Sequence, residues 1–389
     1  MKIKSLEIEN FRGIKYLNLD LTGSNGSPLD MVVLAGQNGC GKTSILESIV
    51  ILMGRDELLP KRVERNFNEV SFGANLCTLK GAIDAGGDWN ISRPIFPGKD
   101  PKKTQKVQGL IEYVPSWRTP KLVGSVSVSV NGGSAKDDRY MENKLANLKQ
   151  TIVDLTASQA FETSAAAPQI RGERELIIDK LNSVWKMFFP DRDEYFIPDA
   201  APHAIGRRFD LFLKGRGSSL IPVDSLSSGE IEIISLIGRI ARNATADYIM
   251  LIDEPELHLH PAWHRIILKA LREVTSGAQI IVATHSPQII GSIETANVRF
   301  LRKEGEKTFI EKATSTYGLD TNRVLEELMG VDERLPEIKD RLHDVFVLIA
   351  DGNIKDARKK IADLRTILPE EPELTRAEAI ISRKEILGK

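Results

Sequence analysis

The chain has 389 residues, 41% hydrophobic and 28% charged, with a net charge of −1 at pH 7. This supports about two to three packed domains, excludes wholesale disorder, and excludes a uniformly basic nucleic-acid surface while leaving room for a local basic patch. The two cysteines, Cys40 and Cys77, offer neither a disulfide framework nor a zinc pattern. The charged, alternating N-terminus is no signal peptide, and no run approaches ~18 apolar residues, so the expectation is a cytoplasmic protein without a membrane span.

In chain order, Lys2–Phe11 carries Leu6 and Ile8 on one face, and Leu17, Leu19 and Leu21 alternate after Arg12-Gly13, which predicts two antiparallel strands. Met31–Ala35 reads as a buried strand, followed by a glycine-rich turn and a helix bearing Leu46, Ile49, Val50 and Met53. Asn75–Ile83 and Trp89–Arg93 predict a hairpin, Pro97–Lys106 a solvated basic loop, and Leu110–Val114 and Leu122–Val130 further strands. Residues 135–205 lack strand alternation and predict a short helical insertion with no sustained heptads, hence no coiled-coil arm. Phe209–Leu213 and Leu220–Val223 predict another hairpin. Then come helix Ile231–Arg242, strand Asp247–Ile252, helix Pro261–Val274 and strand Gln279–Thr284. The apolar runs Tyr248–Ile252 and Ile280–Ala283 suit central strands buried on both faces. Val298–Leu301 and Thr308–Glu311 read as edge strands around Gly305, and residues 316–389 as a charged helical domain.

Four stretches carry chemistry. Gly36-Gln37-Asn38-Gly39-Cys40-Gly41-Lys42-Thr43 fits G-x-x-x-x-G-K-[ST] between a strand and a helix. That context aims backbone N–H groups and a helix N-terminus at one point, where phosphates bind. Lys42 is placed to reach the β- and γ-phosphates, Thr43 to hold Mg²⁺, and Ser44 to extend the cradle. Tyr248–Glu254 is an apolar strand ending in two carboxylates, Asp253 and Glu254, which point to opposite faces. One of them can hold Mg²⁺ and the other can activate water. In Asp224–Glu230, Ser227 and Glu230 satisfy the S-x-x-E capping box ahead of a helix. His285 in Thr284-His285-Ser286-Pro287 ends a central strand, where such sheets bind ligands. His258, His260 and His264 cluster, but Pro261 suits a first helical turn and no cysteine is near, which disfavours zinc. Arg12 and Arg118 follow strands and are candidates to meet the nucleotide.

These four motifs, with the opening Ile8–Ile14, together resemble the RecF/SMC/OLD branch of ABC ATPases. The resemblance implies an α/β, ABC-type P-loop ATPase head at residues 1–315, with a mixed central sheet and an antiparallel N-terminal sheet. It also implies a head-to-head dimer or higher oligomer in which each phosphate loop faces the partner copy's Ser227, Ser228 and Gly229. In that frame Asp253 and Thr43 hold Mg²⁺, Glu254 is the general base, His285 senses the γ-phosphate, and Glu256–Pro261 packs near the subunit interface. Short heads without coiled-coil arms are most similar to the ATPases of bacterial anti-phage systems such as Septu, which act with a nuclease of HNH type. The C-terminal segment shows no Toprim pattern, so no intrinsic nuclease is expected. The alternative is a RecF-like DNA-binding ATPase of repair or recombination, with Lys99, Lys102, Lys103 and Lys106 facing DNA phosphates.

Overall fold

The computed structural model describes residues 1–59, 70–84, 87–94, 110–116, 126–127, 148–153, 167–200, 208–215, 217, 219–242, 248–275, 277–311, 315–318, 321–325 and 336–387. They fall into two compact units, Met1–Val324 and Leu325–Lys389. The strands are β1 (Ile3–Phe11), β2 (Ile14–Asp20), β3 (Met31–Gly36), β4 (Leu76–Ile83), β5 (Gly87–Pro94), β6 (Leu110–Val114) and β7 (Val126–Ser127), then β8 (Tyr195–Ala200), β9 (Arg208–Lys214), β10 (Leu220–Pro222), β11 (Tyr248–Asp253), β12 (Gln279–Thr284), β13 (Val298–Glu304) and β14 (Lys307–Glu311). The longer helices are α1 (Lys42–Leu52), α2 (Ala167–Phe188), α3 (Ser228–Arg242) and α4 (Pro261–Val274) in the first unit, and α5 (Pro336–Ala350), α6 (Ile354–Arg365) and α7 (Pro372–Leu387) in the second.

The central sheet has the order β14-β13-β3-β12-β11-β6. All its neighbours run parallel except the β13–β14 hairpin. Parallel strands must be covered on both faces, and every residue of β3, β11 and β12 is buried. Because these strands are parallel, their carboxyl ends share one edge of the sheet. Residues more than 200 positions apart in sequence therefore become neighbours there.

A second sheet, β2-β1-β4-β5, is wholly antiparallel. Helix α1 is almost entirely buried. Its Ile45, Leu46, Ile49 and Val50 join one core with Leu6 and Ile8 of β1, Leu79 of β4 and Leu251 of β11. A helix enclosed this way has no solvent face, so even Glu47 and Ser48, between its apolar residues, are buried. In the third sheet β8 lies along β9, and β10 and β7 pair with its two ends. The second unit packs Leu342, Val345 and Ile349 of α5 against Ile361 and Leu364 of α6 and Ala377 and Ile381 of α7. Among the described residues no helix is long and apolar enough to cross a membrane.

The head has the α/β architecture expected, with both the mixed and the antiparallel sheet. Three details differ from the sequence reading. Strand β13 is interior, lying between β3 and β14, so of the two strands expected at the edge β14 alone lies there, with β6 at the opposite edge. Residues Tyr195–Ala200, placed in a helical insertion, form β8; the strand's weak apolar content reflects pairing to β9 on one side. The first unit runs on to Val324, beyond residue 315, because the chain is tied back there: Thr316 Oγ1 donates to Ile293 O at 3.0 Å and Gly318 N–H to Gly291 O at 3.1 Å. Arg118 and the lysines 99, 102, 103 and 106 lie outside the described residues, as does most of the expected strand Leu122–Val130.

Candidate nucleotide site

The phosphate loop joins β3 to α1. Gly41 has φ 105°, left-handed backbone that favours glycine, and a Cβ there would stand 3.1 Å from the Ile14 side chain. Gln37, Asn38 and Gly39 are exposed and Cys40 is buried. The Lys42 ammonium donates to Gly36 O at 2.8 Å and Gln37 O at 2.9 Å, which holds the charge inside the loop's arch. The side chain is only 6% exposed, so the cation is poised where anionic oxygens would be drawn. Ser44 follows in the first turn of α1.

Strand order brings the other groups to this edge. Thr43 Oγ1 donates to Asp253 Oδ2 at 2.9 Å, linking α1 to the end of β11 across 210 positions. Asp253 is 1% exposed. Burial pushes its carboxyl up to about 6, with the charges of Glu254 and Glu47 adding to the shift and hydrogen bonds from Thr43 and Ser116 opposing it. A hydroxyl and a buried carboxylate make a hard oxygen donor pair that fits Mg²⁺, which takes one or two carboxylates plus phosphate oxygens rather than an all-protein cage. Thr43 and Asp253 would hold the ion, and it would neutralise developing phosphate charge.

Glu254 turns out of the strand with φ 50° and donates its N–H to Ala283 O at 2.8 Å. That turn carries Glu254 Oε1 to 3.0 Å from His285 Nδ1, at the end of β12. The two side chains remain partly open, 26% and 44% exposed. Glu256 lies beneath this pair. Its Oε1 accepts from the Thr284 hydroxyl and, at 3.3 Å, from the His285 N–H, so it clamps the exits of β11 and β12 together.

The predicted capping box forms. Glu230 Oε2 accepts from Ser227 N–H at 2.8 Å and from Ser227 Oγ at 2.7 Å. Burial opposes ionisation of Glu230, but the Ser227 hydrogen bonds and the Arg192 guanidinium outweigh it and hold its carboxyl below the ordinary value. Gly229 is needed for close approach: a Cβ would stand 2.9 Å from the Trp263 ring and 3.2 Å from His258 O. Trp263 in turn meets Phe188 and Phe189, and Arg192 stacks 4.5 Å from the Phe189 ring centre. The preceding turn is anchored by the fully buried Lys149, which pairs with Asp224 at 2.5 Å and Asp210 at 2.7 Å. Ser228, the first residue of α3, is exposed.

Arg12 forms an ion pair with the buried Glu47 of α1, which fixes the β1–β2 turn to the phosphate-loop helix. The three clustered histidines go separate ways. His260 caps α4 by accepting from Ala262 N–H, His264 bridges Ser286 Oγ and Leu259 O, and His258 is exposed. Sequence reasoning missed Ser116, Glu256, Glu47 and Arg192. Ser116 had a usable signal, since it follows the apolar strand Leu110–Val114 as Glu254 follows its own. The others depend on pairings between distant segments.

A parallel sheet ending in a phosphate loop, an Asp-Glu pair and a histidine, preceded by a capped Leu-Ser-Ser-Gly-Glu helix start, defines an ABC-type ATPase head. Two family models match: "AAA ATPase domain" over residues 1–156 and "AAA domain, putative AbiEii toxin, Type IV TA system" over residues 161–291. The Septu protein PtuA of Bacillus thuringiensis is 31% identical over 85% of this chain and 85% of its own length. The chain therefore belongs to the RecF/SMC/OLD branch of ABC-type ATPases, in the family of the Septu protein PtuA. The PtuA of Bacillus mycoides (strain KBAB4) is 23% identical over 92% of this chain, which spans about half, 49%, of that relative's length. The "Retron Ec83 probable ATPase" of Escherichia coli is 24% identical over 87% of this chain and 78% of its own length. An SMC head crystallised with the C-terminal winged-helix domain of ScpA shares the fold, with a TM-score of 0.53 at 13% identity over 80% of this chain and 97% of that one.

Proposed function

We propose that this chain is a cytoplasmic ATPase head that pairs with a second copy across shared ATP sites and acts as sensor and scaffold for a separately encoded nuclease in anti-phage defence. The observation that carries the reading is the meeting of Lys42, Thr43, Asp253, Glu254 and His285 at one sheet edge, with Thr43–Asp253 at 2.9 Å and Glu254–His285 at 3.0 Å. In the reaction, Glu254 takes a proton from water as its oxygen bonds to the γ-phosphorus. The bond from that phosphorus to the β–γ bridging oxygen breaks, and ADP and phosphate leave. His285 steadies the Glu254 carboxylate and meets a γ-phosphate oxygen. Lys42 stabilises charge on the β- and γ-phosphates.

Pairing is supported by the position of Ser228, exposed at the N-terminus of a 15-residue helix whose first turn offers N–H groups to an anion. On this reading that loop completes the partner copy's γ-phosphate site. The nuclease partner is carried over from kinship with PtuA, and an HNH nuclease is the favoured type. The test is co-expression with the product of the neighbouring gene, followed by affinity purification without nucleotide, with ATP and with ADP. A complex in at least one state is expected; none in any state would refute the partnership. ATP-dependent dimerisation of Glu254→Gln in sedimentation tests the shared site separately.

A further inference from the structure

Helix α4 begins with two adjacent side chains that reach different parts of the site. Trp263 lies under Gly229 at the start of α3, where a Cβ would stand 2.9 Å from its ring. His264 reaches the other way and uses both ring nitrogens: Nε2 lies 3.2 Å from Leu259 O, and Nδ1 lies 3.1 Å from Ser286 Oγ. A carbonyl oxygen only accepts, so Nε2 carries the hydrogen of the first bond. Ser286 follows His285 directly and is itself 4% exposed. Its N–H donates to Thr284 Oγ1 at 2.9 Å, and its Oγ accepts from Ile289 N–H at 3.4 Å. A side chain that fixes Ser286 therefore fixes the backbone that carries His285.

Leu259 lies near the end of the segment that leaves β11. Along residues 254–261 the chain adopts left-handed backbone twice, at Glu254 with φ 50° and at His258 with φ 67°. Neither residue is glycine, and such conformations persist only where neighbouring groups hold them. Part of the hold is local: Leu257 N–H donates to Glu254 O at 3.1 Å, and Leu259 N–H to Glu256 O at 2.9 Å. Three side-chain crossings then tie the segment to the exit of β12. Glu254 meets His285, Glu256 meets Thr284 and the His285 N–H, and Leu259 is joined through His264 to Ser286. The third crossing comes directly after His258, whose carbonyl lies against Gly229, 3.2 Å from where a Cβ would stand.

We propose that His264 is a positioning residue for ATP hydrolysis: by holding Leu259 O and Ser286 Oγ together, it keeps residues 254–261 on their strained path and His285 against Glu254. This rests on the reading of the site as one that hydrolyses ATP, and it assigns to α4 the alignment of the general base. His264 acts through these two segments and needs no contact with the nucleotide.

The experiment compares wild type, His264→Ala and His264→Gln as full chains, by steady-state phosphate release and by hydrogen exchange without nucleotide. His264→Ala is expected to lower kcat about tenfold at unchanged KM for ATP, the scale of one lost hydrogen bond felt at the transition state alone. His264→Gln, whose amide N–H₂ can still donate to Leu259 O, should recover most of that loss. Without nucleotide, His264→Ala should speed amide exchange in residues 254–261 and 284–290 and leave α1 unchanged. A wild-type kcat in His264→Ala would overturn the proposal. So would equal losses in the two variants, or kcat and KM worsening together with faster exchange throughout α4, which would mark the histidine as a support of the fold alone. Wild-type protein that hydrolyses no ATP would instead overturn the ATPase reading and this hydrolytic role with it, while the exchange comparison would still show whether His264 holds the two segments.

Discussion

Asp253→Asn should stabilise the metal-free protein at neutral pH while disabling it. The Asp253 carboxyl is raised from the ordinary 3.8 to about 6, first by burial and then by the neighbouring charges of Glu254 and Glu47. A carboxyl whose folded value lies above its unfolded one holds its proton more tightly in the fold. Its contribution is fully present below pH 3.8 and is lost as pH rises through about 6. A gap of roughly two units corresponds to about 3 kcal/mol lost by pH 7.5, and about 1.6 kcal/mol by pH 5. Asparagine carries no charge at either pH and avoids the loss, less about 1 kcal/mol for seating an amide N–H₂ where a carboxylate oxygen sat. The expected net gain is about 2 kcal/mol at pH 7.5, shrinking to well under 1 at pH 5. Urea unfolding in EDTA at both pH values measures it. With Mg²⁺ and ATP the order should reverse, since the cation favours the charged carboxylate that Thr43 holds in place. A variant no more stable than wild type at pH 7.5, or equally stabilised at both pH values, would refute the claim that burial penalises the charged carboxylate at this site.

Other perturbations test separate parts. Glu254→Gln should keep ATP binding yet lose ~10²-fold or more in turnover, read by phosphate release; near-wild-type hydrolysis would mean another base acts. Glu256→Ala should lower kcat about tenfold at unchanged ATP affinity by freeing the Thr284–His285 exit, whereas Glu256→Gln, which keeps an accepting oxygen, should stay close to wild type. Equal losses in the two Glu256 variants would show that charge, not positioning, matters. Lys149→Met should cost about 3–5 kcal/mol in urea unfolding, because it leaves Asp210 and Asp224 without the cation between them. Ser228→Arg and Lys42→Ala, each inactive alone, should regain activity when mixed, since a mixed pair holds one site with both an intact phosphate loop and an intact facing serine. A mixture as inactive as its parents would argue against shared sites.

What could be read in advance follows the range over which each signal acts. Helix α4 and strand β12 have the bounds their patterns predict, because Pro261 and the apolar run Ile280–Ala283 are local signals. The phosphate loop, the Asp-Glu pair and His285 were legible for the same reason, and a parallel sheet then brings strand ends together whatever their spacing in sequence. Strand β8 was not legible, since Pro198 and Asp199 obscure its alternation and only pairing to β9 makes it a strand. Nor was the place of β6 beside β11, which sets Ser116 near Asp253. Glu47, midway along a buried helix, offered no pattern at all; its partner Arg12 lies on another sheet.

The Leu-Ser-Ser-Gly-Glu stretch shows how a structural and a functional reading of one segment can both hold. The capping box engages Ser227 fully with Glu230: its N–H and hydroxyl both donate to the carboxylate, and its Oγ accepts the Glu230 N–H at 3.4 Å. A serine so engaged has little left to offer a phosphate. Ser228, exposed like Ser227 but outside the capping box, sits on a helix start held still by Trp263 beneath Gly229, by Arg192 on Glu230 and by Lys149 on Asp224. The cap therefore does not compete with anion binding. It uses the Glu230 N–H and leaves Ser228 exposed at the start of α3, which the proposed pairing across a second copy's γ-phosphate would require. On the proposed pairing, Ser228 and the Gly229 backbone would meet the partner's ligand, and Ser227 would hold them in place.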